Sequence, residues 1–358
     1  MKITFVLPGG ARYPAGGTRM VFRYANALAQ SGTAITVVMP SDLSLAPFWK
    51  RVLRLGRYGA WAVVKGYSPD RWIDLHPAIR LLWTPSLASA WAPEGDAVVA
   101  TSVRTAEMVA TWPAKAGRKF YFVQGYETWD FPRARVEASW KLPLEKFAVS
   151  TWLCSLIGQV GETSTCLRNS VDCVTFGLDR PVEERDPASL LWPHHPLPQK
   201  GSIDVMNVVY KLLADHTNRI KISAFAASKK PADWPPKISY SRNPLQHELR
   251  RLYNDAAIMI APSRSEGWGL PACEALVCGC GVIATDIGGH REFLRHEENA
   301  LLYPPSDLDA LGRSILRLLG DPALRIRLAR QGQLDMQALI LEPMVVKLEG
   351  ILKGVPMP

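Results

Sequence analysis

The sequence predicts an α/β protein made of two doubly wound, parallel-sheet domains. In the first half, an apolar strand over residues 3–7 is followed by a helix over 20–30, which ends near Gly32, and by a strand over 34–39. The same alternation restarts after residue 177, and 358 residues with 47% hydrophobic content are enough for two cores. Because helices separate successive strands, both sheets are expected to be parallel.

The remaining elements follow in chain order. Apolar runs predict two further strands in the first half, at 96–100 and 119–123. In the second half, strands at 190–192 and 219–225 flank a helix at 202–214. Short strands bounded by loop residues and separated by helices are typical of doubly wound α/β domains.

This pattern predicts three segments. Residues 1–176 are expected to form an N-terminal Rossmann-like domain, residues 177–335 a C-terminal Rossmann-like domain, and residues 336–358 a tail that packs back on the N-terminal domain. The first boundary lies within the run 171–179, where the alternation is interrupted and a proline- and charge-rich stretch comes next. Two such domains are expected to face a cleft, where ligands usually bind.

The stretch 263–276, Ser-Arg-Ser-Glu-Gly-Trp-Gly-Leu-Pro-Ala-Cys-Glu-Ala-Leu, is the richest in chemistry. A strand over 257–262 precedes it and a helix over 270–277 ends it, so that Glu266 lies on the connecting loop and Glu274 about one turn inside the helix. Ligands bind at the carboxyl ends of parallel strands. A carboxylate accepts hydrogen bonds from both hydroxyls of a diol, and the free N–H groups of a helix start favour phosphate. We therefore expect these glutamates to hold a sugar ring and a ribose.

Two glutamates eight positions apart in this setting resemble the signature of retaining glycosyltransferases of family 4, which have the GT-B fold. The likeness covers residues 240–310, including the runs at 286–292 and 297–303, and a run at 121–129 resembles bacterial rhamnosyltransferase-like members. The run at 171–179 resembles the domain junction of the family, which predicts a strand followed by a turn there. The resemblance implies a hexosyltransferase that moves a sugar from a nucleoside-diphosphate sugar to a glycan or lipid-linked acceptor in cell-envelope polysaccharide synthesis. It also implies that the C-terminal domain binds the donor, that the N-terminal domain binds the acceptor, and that no cofactor or metal is needed.

The resemblance also implies roles for single residues of the C-terminal domain. Glu274 corresponds to the ribose-binding glutamate, Glu266 to the glutamate that contacts the transferred sugar, and Lys200 to a lysine that contacts the diphosphate. Glu266 and Lys200 are the expected catalytic residues there. The other expected donor-binding residues are Gly267, Trp268, Gly269, Leu270, His195 and Arg242.

His195 marks a departure from the family. It stands five positions before Lys200, where relatives usually carry an arginine. A histidine can donate one hydrogen bond, or carry a charge if its pKa is raised, but it cannot make the bidentate contact of arginine. Arg242 and Arg264 are candidates to supply the missing charge.

In the N-terminal domain, Glu127 is expected to be a third catalytic residue, or a contact to the acceptor or the sugar, together with Gln124. Gly16 and Gly17 match the loop that lies against the donor phosphates or the acceptor in relatives. Many relatives carry a histidine after a central strand, whereas residues 100–104 contain none. A retaining transfer on one face, in which the departing phosphate takes the acceptor proton, requires no protein base.

The chain is basic, with a net charge of +9 and a pI near 9.3, but no nucleic-acid-binding motif accompanies the charge. The stretch 47–61 combines aromatic residues with four cations and no acid. Such a segment either lies on an anionic bilayer or forms a core-facing helix with a basic outer face. The first residues read as a strand rather than a signal peptide, and the irregular cysteine spacing indicates reduced thiols. We therefore expect a cytoplasmic protein that binds the inner face of the cell membrane peripherally.

Three classes of function are compatible with the sequence. A retaining glycosyltransferase accounts for the glutamate pair best. GT-B epimerases lack this motif, and phosphorylases of the fold need a pyridoxal-phosphate lysine and are far longer. A non-catalytic sugar-nucleotide-binding protein is the remaining alternative, because the usual arginine and histidine are missing.

Overall fold

The computed structural model describes residues 1–11, 15–41, 53, 56, 69–215 and 220–355. These residues form two compact units, one of Met1–Asn169 with Glu342–Pro358 and the other of Ser170–Leu341. The division lies at 169/170 and 341/342, whereas the sequence suggested boundaries at 176/177 and 335/336.

The first unit contains a seven-stranded sheet with the strand order β3-β2-β1-β4-β5-β6-β7, and every pairing found among its described strands is parallel. The chain order reverses between β1 and β4, as in dinucleotide-binding folds. Strands β1 to β7 are Lys2–Val6, Ala34–Pro40, Arg80–Thr84, Ala97–Ala100, Arg118–Val123, Glu145–Ala148 and Thr165–Cys166. Helices α1 to α4 are Gly16–Gln30, Val103–Ala110, Arg133–Trp140 and Thr151–Gln159.

Burial and capping explain why these segments fold as they do. Strand β4 is buried along its whole length, as expected of a central parallel strand that is covered on both faces. Phe122 of β5 stacks on Phe147 of β6, with the ring centroids 4.8 Å apart. Helix α2 starts at a capping box in which the Ser102 side chain accepts from the Thr105 N–H, so that the helix begins directly after β4.

The second unit contains a six-stranded parallel sheet with the order β10-β9-β8-β11-β12-β13. The chain order reverses here between β8 and β11. Strands β8 to β13 are Ser189–Pro193, Lys221–Ala226, Ser239–Arg242, Ile258–Ala261, Gly281–Thr285 and Leu301–Tyr303. Helices α5 to α9 are Ser202–Asp215, Gln246–Asp255, Leu270–Val277, Leu308–Gly320 and Pro322–Met336.

The core of the second unit joins the sheet to the helices that cover it. Ile258, Ile260 and Ile283 of the central strands belong to one buried cluster with residues of α5, α8 and α9. Two aspartates, Asp307 and Asp321, start α8 and α9 by accepting hydrogen bonds from backbone N–H groups three residues ahead.

Helix α10, Leu341–Lys353, ends the described chain, and residues from Glu342 onward group with the first unit. There the Arg118 guanidinium donates a hydrogen bond of 3.2 Å to the carbonyl of Leu352. The tail that joins the first unit is therefore residues 342–358, and the preceding helix α9 belongs to the second unit.

The predicted fold class of two doubly wound parallel sheets is confirmed. The strand predicted near residue 171 is wrong, because the chain there forms a turn, and the Val171 N–H donates to the carbonyl of Leu339 instead of to a strand. The basic stretch 47–61 lies outside the described residues, apart from Leu53 and Gly56. Within the described part of the chain, no helix has the length and apolar character that crossing a bilayer would require.

Candidate active site

In the second unit, the site residues follow the two strands at which the chain order reverses. Strands β8 and β11 are adjacent, with Leu190 opposite Ile258. The segment after β8 leads through His195 to Lys200, and the segment after β11 leads through Pro262 to Glu266. Their side chains therefore meet at the carboxyl edge of the sheet, where doubly wound folds bind ligands.

Lys200 and Glu266 form an ion pair, although they are 66 positions apart in the chain. The Lys200 Nζ lies 2.6 Å from Glu266 Oε1, and the Ser263 hydroxyl donates to the same oxygen at 2.7 Å. The two charged side chains keep 28% and 21% exposure. Burial alone would raise the pKa of Glu266, but the Lys200 ammonium and these hydrogen bonds outweigh it, so the pKa is lowered. The pair thus presents an ionised carboxylate and a cation side by side.

Arg264 holds the loop that carries Glu266. Its backbone N–H donates to the carbonyl of Gln199 at 2.7 Å, which ties the two site segments together. Its guanidinium donates to both oxygens of the Asp204 carboxylate, which is 8% exposed, with distances of 2.8 and 2.9 Å from Nη2. The charge of Arg264 is therefore balanced by Asp204. The expectation that Arg264 replaces the family arginine is weakened by this pairing.

His195 is held in one tautomer by its surroundings. Its Nδ1 accepts a 3.1 Å hydrogen bond from the Leu197 N–H, so a neutral ring carries its proton on Nε2. Its backbone N–H donates to the Ser202 hydroxyl at 2.8 Å. Burial and the nearby Lys200 ammonium lower its pKa, although Glu266 opposes them. His195 can therefore offer an anion one neutral N–H donor near pH 7.

Glu274 lies inside α7, as expected, and is 3% exposed. The Tyr253 hydroxyl donates to its Oε2 at 3.1 Å. A carboxylate has two oxygens and several acceptor positions, so it can accept more than one hydrogen bond.

The Gly267–Leu270 loop contributes backbone rather than side chains. Trp268 is buried, its ring stacks on Phe293 with centroids 5.4 Å apart, and its Nε1 donates to Cys273 Sγ. Gly269 is the N-cap of α7 and offers no side-chain cap. Pro271 has no N–H, and the N–H groups of Ala272 and Cys273 donate to the Gly269 carbonyl, so the Leu270 N–H is the helix-start donor left for an anion.

Arg242 is exposed at the end of β10. Two strand spacings separate β10 from β8, which is a distance of about 10 Å. The structure therefore brings Lys200, His195 and Glu266 together and leaves Arg242 farther along the same edge.

The first unit has a corresponding edge where β4 and β5 end. The Val103 N–H, at the start of α2, donates to both oxygens of Glu127, at 3.2 and 3.3 Å. Burial raises the pKa of Glu127 to about 7, against the effect of that N–H and with a smaller contribution from Asp130. A titratable carboxyl group thus stands beside the strand end where relatives were expected to carry a histidine.

Gln124 and the glycines of α1 lie at the same edge. A Cβ on Gly17 would come within 3.0 Å of Gln124 Oε1, so the amide packs against the start of α1, where Gly16 is the first residue. Gln124 Oε1 is buried and has no hydrogen-bond partner among the described residues.

Two residues next to Glu266 had no role assigned from the sequence. Ser263 donates directly to its carboxylate, and His290 lies against Gly269 in the same loop. Both belong to runs that resemble the family, but only their contacts reveal their roles. Within the described ranges, no group of three or more His, Cys, Asp or Glu side chains has an arrangement suited to a metal ion.

Comparison with known proteins gives one family match. Residues 238–335, which include β10 to β13 and the Glu266 loop, match the family described as "Glycosyl transferases group 1". An uncharacterized glycosyltransferase of Methanocaldococcus jannaschii is 22% identical over 51% of this chain and 52% of its own length. A D-inositol 3-phosphate glycosyltransferase of Salinispora tropica is 40% identical over 24% of this chain and 18% of its own.

These curated relatives are matched only in part, since the chain spans about half the length of the first and about a fifth of the second. The similarity in three-dimensional structure extends over nearly the whole chain. The structure of Anabaena Alr3699/HepE in complex with UDP-glucose has a TM-score of 0.75 to this chain and 15% identity, and the match covers 99% of this chain and all of the other. Residues 238–335 are therefore similar to the glycosyl transferases group 1 family, and the chain as a whole has the GT-B fold of two doubly wound parallel sheets.

Proposed function

We propose that this protein is a retaining glycosyltransferase of family 4 that moves a hexose from a nucleoside-diphosphate sugar to a glycan or lipid-linked acceptor. The observation that carries the proposal is the Lys200–Glu266 pair, with 2.6 Å between Nζ and Oε1, at the reversal point of the second sheet. Glu266 lies inside the group 1 match, and Lys200 lies ahead of it in the chain. The assignment to family 4 and its rhamnosyltransferase-like members rests on sequence resemblance.

The donor would occupy the carboxyl edge of the second sheet. Lys200, the Nε2–H of His195 and the Leu270 N–H at the start of α7 form a set of cationic and N–H donors suited to a diphosphate. In this proposal Glu274 accepts from the ribose diol and Glu266 from hydroxyls of the sugar. Because donors of this kind can balance the charge of the diphosphate, we propose that the reaction needs neither a metal nor a cofactor.

In the proposed transfer, the bond between the sugar C1 and the diphosphate oxygen breaks, and the nucleoside diphosphate leaves with the electron pair. The acceptor oxygen forms the new bond to C1 on the same face, and its proton passes to the departing phosphate. Lys200 stabilises the negative charge that grows on the diphosphate, so its contribution is greatest in the transition state.

The acceptor would bind at the carboxyl edge of the first sheet. Glu127 and Gln124 both offer oxygen acceptors there, and the carboxyl of Glu127 can also donate when it is protonated. We propose that they contact acceptor hydroxyls, with Gly16 and Gly17 lining the same edge. The basic stretch 47–61 and the net charge of +9 favour a protein that works in the cytoplasm at the inner face of an anionic membrane.

A binding screen tests this proposal. Thermal shift is measured with UDP-glucose, GDP-mannose, dTDP-glucose and UDP-N-acetylglucosamine, each at concentrations up to several millimolar. At least one nucleotide sugar should raise the Tm, and Lys200→Met should reduce that shift, because a ligand that binds only the folded state stabilises it. A wild-type protein that responds to none of a broad panel would contradict the proposed function.

A further inference from the structure

His290 is buried beside the proposed donor site, and its Nδ1 lies within hydrogen-bond distance of both oxygens of Thr285. It begins a short 3₁₀ turn, His290–Glu292, after the end of β12, and is 1% exposed. Its Nδ1 lies 2.9 Å from the carbonyl oxygen of Thr285. Because a carbonyl oxygen can only accept, Nδ1 carries the proton and donates it, and a neutral ring has its lone pair on Nε2.

The other edge of the ring faces the Glu266 loop. A Cβ on Gly269 would lie 2.6 Å from His290 Cδ2 and 2.9 Å from Nε2, so the ring occupies the space that a side chain would need. Gly269 also has a φ of 107°, which only glycine adopts readily. The neighbouring Gly289 approaches the backbone of Glu266 equally closely, since a Cβ there would lie 2.3 Å from the Glu266 carbonyl oxygen. The turn that carries His290 and the Glu266 loop are therefore packed backbone to backbone.

The hydrogen bonds of the His290 ring involve Nδ1 and leave the lone pair of Nε2 able to accept a hydrogen bond. No hydrogen bond to Nε2 is found within the part of the chain that the structure describes, whereas Nδ1 is engaged by Thr285. Burial lowers the pKa of His290, and the Lys200 ammonium lowers it further. The Thr285 carbonyl, Glu266 and Asp286 act in the opposite direction but do not outweigh burial, so the ring is neutral at physiological pH. The ring therefore presents a neutral hydrogen-bond acceptor at Gly269.

We propose that His290 determines specificity in the donor site, and that its Nε2 accepts a hydrogen bond from a hydroxyl group of the transferred sugar. This inference rests on the proposed function, which places the sugar at the Glu266 loop. Lys200 is the donor in that loop region and Glu266 is the ionised acceptor. His290 adds a neutral acceptor that is held rigidly by Thr285 and selects a donor sugar with a hydroxyl directed toward Gly269.

The test compares a nucleotide sugar with its nucleoside diphosphate. Dissociation constants are measured by calorimetry for UDP-glucose and UDP, and for GDP-mannose and GDP, with whichever pair the wild-type protein binds. His290→Asn keeps a donor near the position of Nδ1 and has no acceptor at the position of Nε2, whereas His290→Gln can place its amide oxygen there. His247→Gln, on the exposed face of α6, is the matched control.

We expect His290→Asn to raise the Kd of the nucleotide sugar about tenfold and to change the Kd of the nucleoside diphosphate by less than about twofold. His290→Gln should stay within about threefold of the wild-type protein for both ligands. Measurement well below the Tm of each variant keeps every protein folded during the titration.

Two results would overturn the inference. One is wild-type affinity for the nucleotide sugar in His290→Asn. The other is an equal loss of affinity for both ligands, which would show that the ring only supports the loop. If the wild-type protein binds no nucleotide sugar at all, the proposed function fails, and this outcome is distinct from either result.

Discussion

Glu127 provides a prediction about stability whose size follows from the structure. Burial raises the pKa of its carboxyl group from 4.5 to about 7 in the folded protein. The change tested is Glu127→Gln, which keeps the shape of the side chain and its ability to accept from the Val103 N–H but cannot ionise. A difference of about 2.5 pKa units corresponds to about 3 kcal/mol, and partial exposure of the side chain makes this an upper limit.

The direction of the effect follows from proton linkage. Below about pH 4.5 the carboxyl is protonated in both the folded and the unfolded chain, so it adds no pH dependence. Between about pH 4.5 and pH 7 the unfolded chain loses the proton while the folded protein keeps it, and the stability of the wild-type protein falls as pH rises. Above about pH 7 the full penalty is present. The glutamine variant has no such penalty, so its stability relative to the wild-type protein should increase across this range.

Urea unfolding, followed by circular dichroism at pH 4.5 to 8.5, measures this difference. The free energy of unfolding of Glu127→Gln minus that of the wild-type protein should rise by up to about 3 kcal/mol from the lowest to the highest pH. Glu94→Gln, at an exposed position of the same unit, should show a flat difference. A flat difference for Glu127→Gln would refute the claim that the fold holds this carboxyl in a desolvated place.

Two further predictions concern the donor ribose and the membrane. Glu274→Gln should raise the KM for the donor about tenfold, because the proposed ribose contact loses one of its two carboxyl oxygens, and equal KM values for this variant and the wild-type protein would exclude the ribose role. Tyr253→Phe, which removes the hydroxyl that donates to Glu274, should raise the KM much less. The wild-type protein should pellet with anionic vesicles at low salt, with about 1 kcal/mol from each basic residue, and wild-type protein that stays in the supernatant would exclude membrane binding. Pelleting should weaken when the four cations of the 47–61 stretch are changed together to glutamine, namely Lys50, Arg51, Arg54 and Arg57.

The sequence predicts the elements that are governed by local signals. The predicted helix over 270–277 has the observed bounds, and proline stands directly after its first residue. The preceding strand is correct to within one residue at each end. The strand predicted near residue 171 fails for a tertiary reason. Val171 is buried and apolar, as a strand residue would be, but its N–H pairs with Leu339 at the far end of the unit.

The sequence predicts those parts of the site that depend on residue type and spacing. It does not predict the contacts between residues that are far apart in the chain. Glu266 and Lys200 follow from the motif, but only the fold shows that they form an ion pair across 66 positions. The pairing of Arg264 with Asp204 spans 60 positions, so no local pattern shows that the charge is already balanced. The contact of His290 with Gly269 could not be predicted from the sequence either, because it arises from the packing of two loops.

Release of the nucleoside diphosphate tests the central claim most directly. The wild-type protein is incubated with each nucleotide sugar of the panel, with a glycan mixture as acceptor, and nucleoside diphosphate is measured by a coupled enzymatic assay. We predict release from at least one donor, with loss of most turnover in Lys200→Met and in Glu266→Gln while both variants remain folded, because the proposed mechanism has both residues act on the reacting groups. Wild-type rates in either variant would contradict the claim that the Lys200–Glu266 pair is the centre of a glycosyltransferase site.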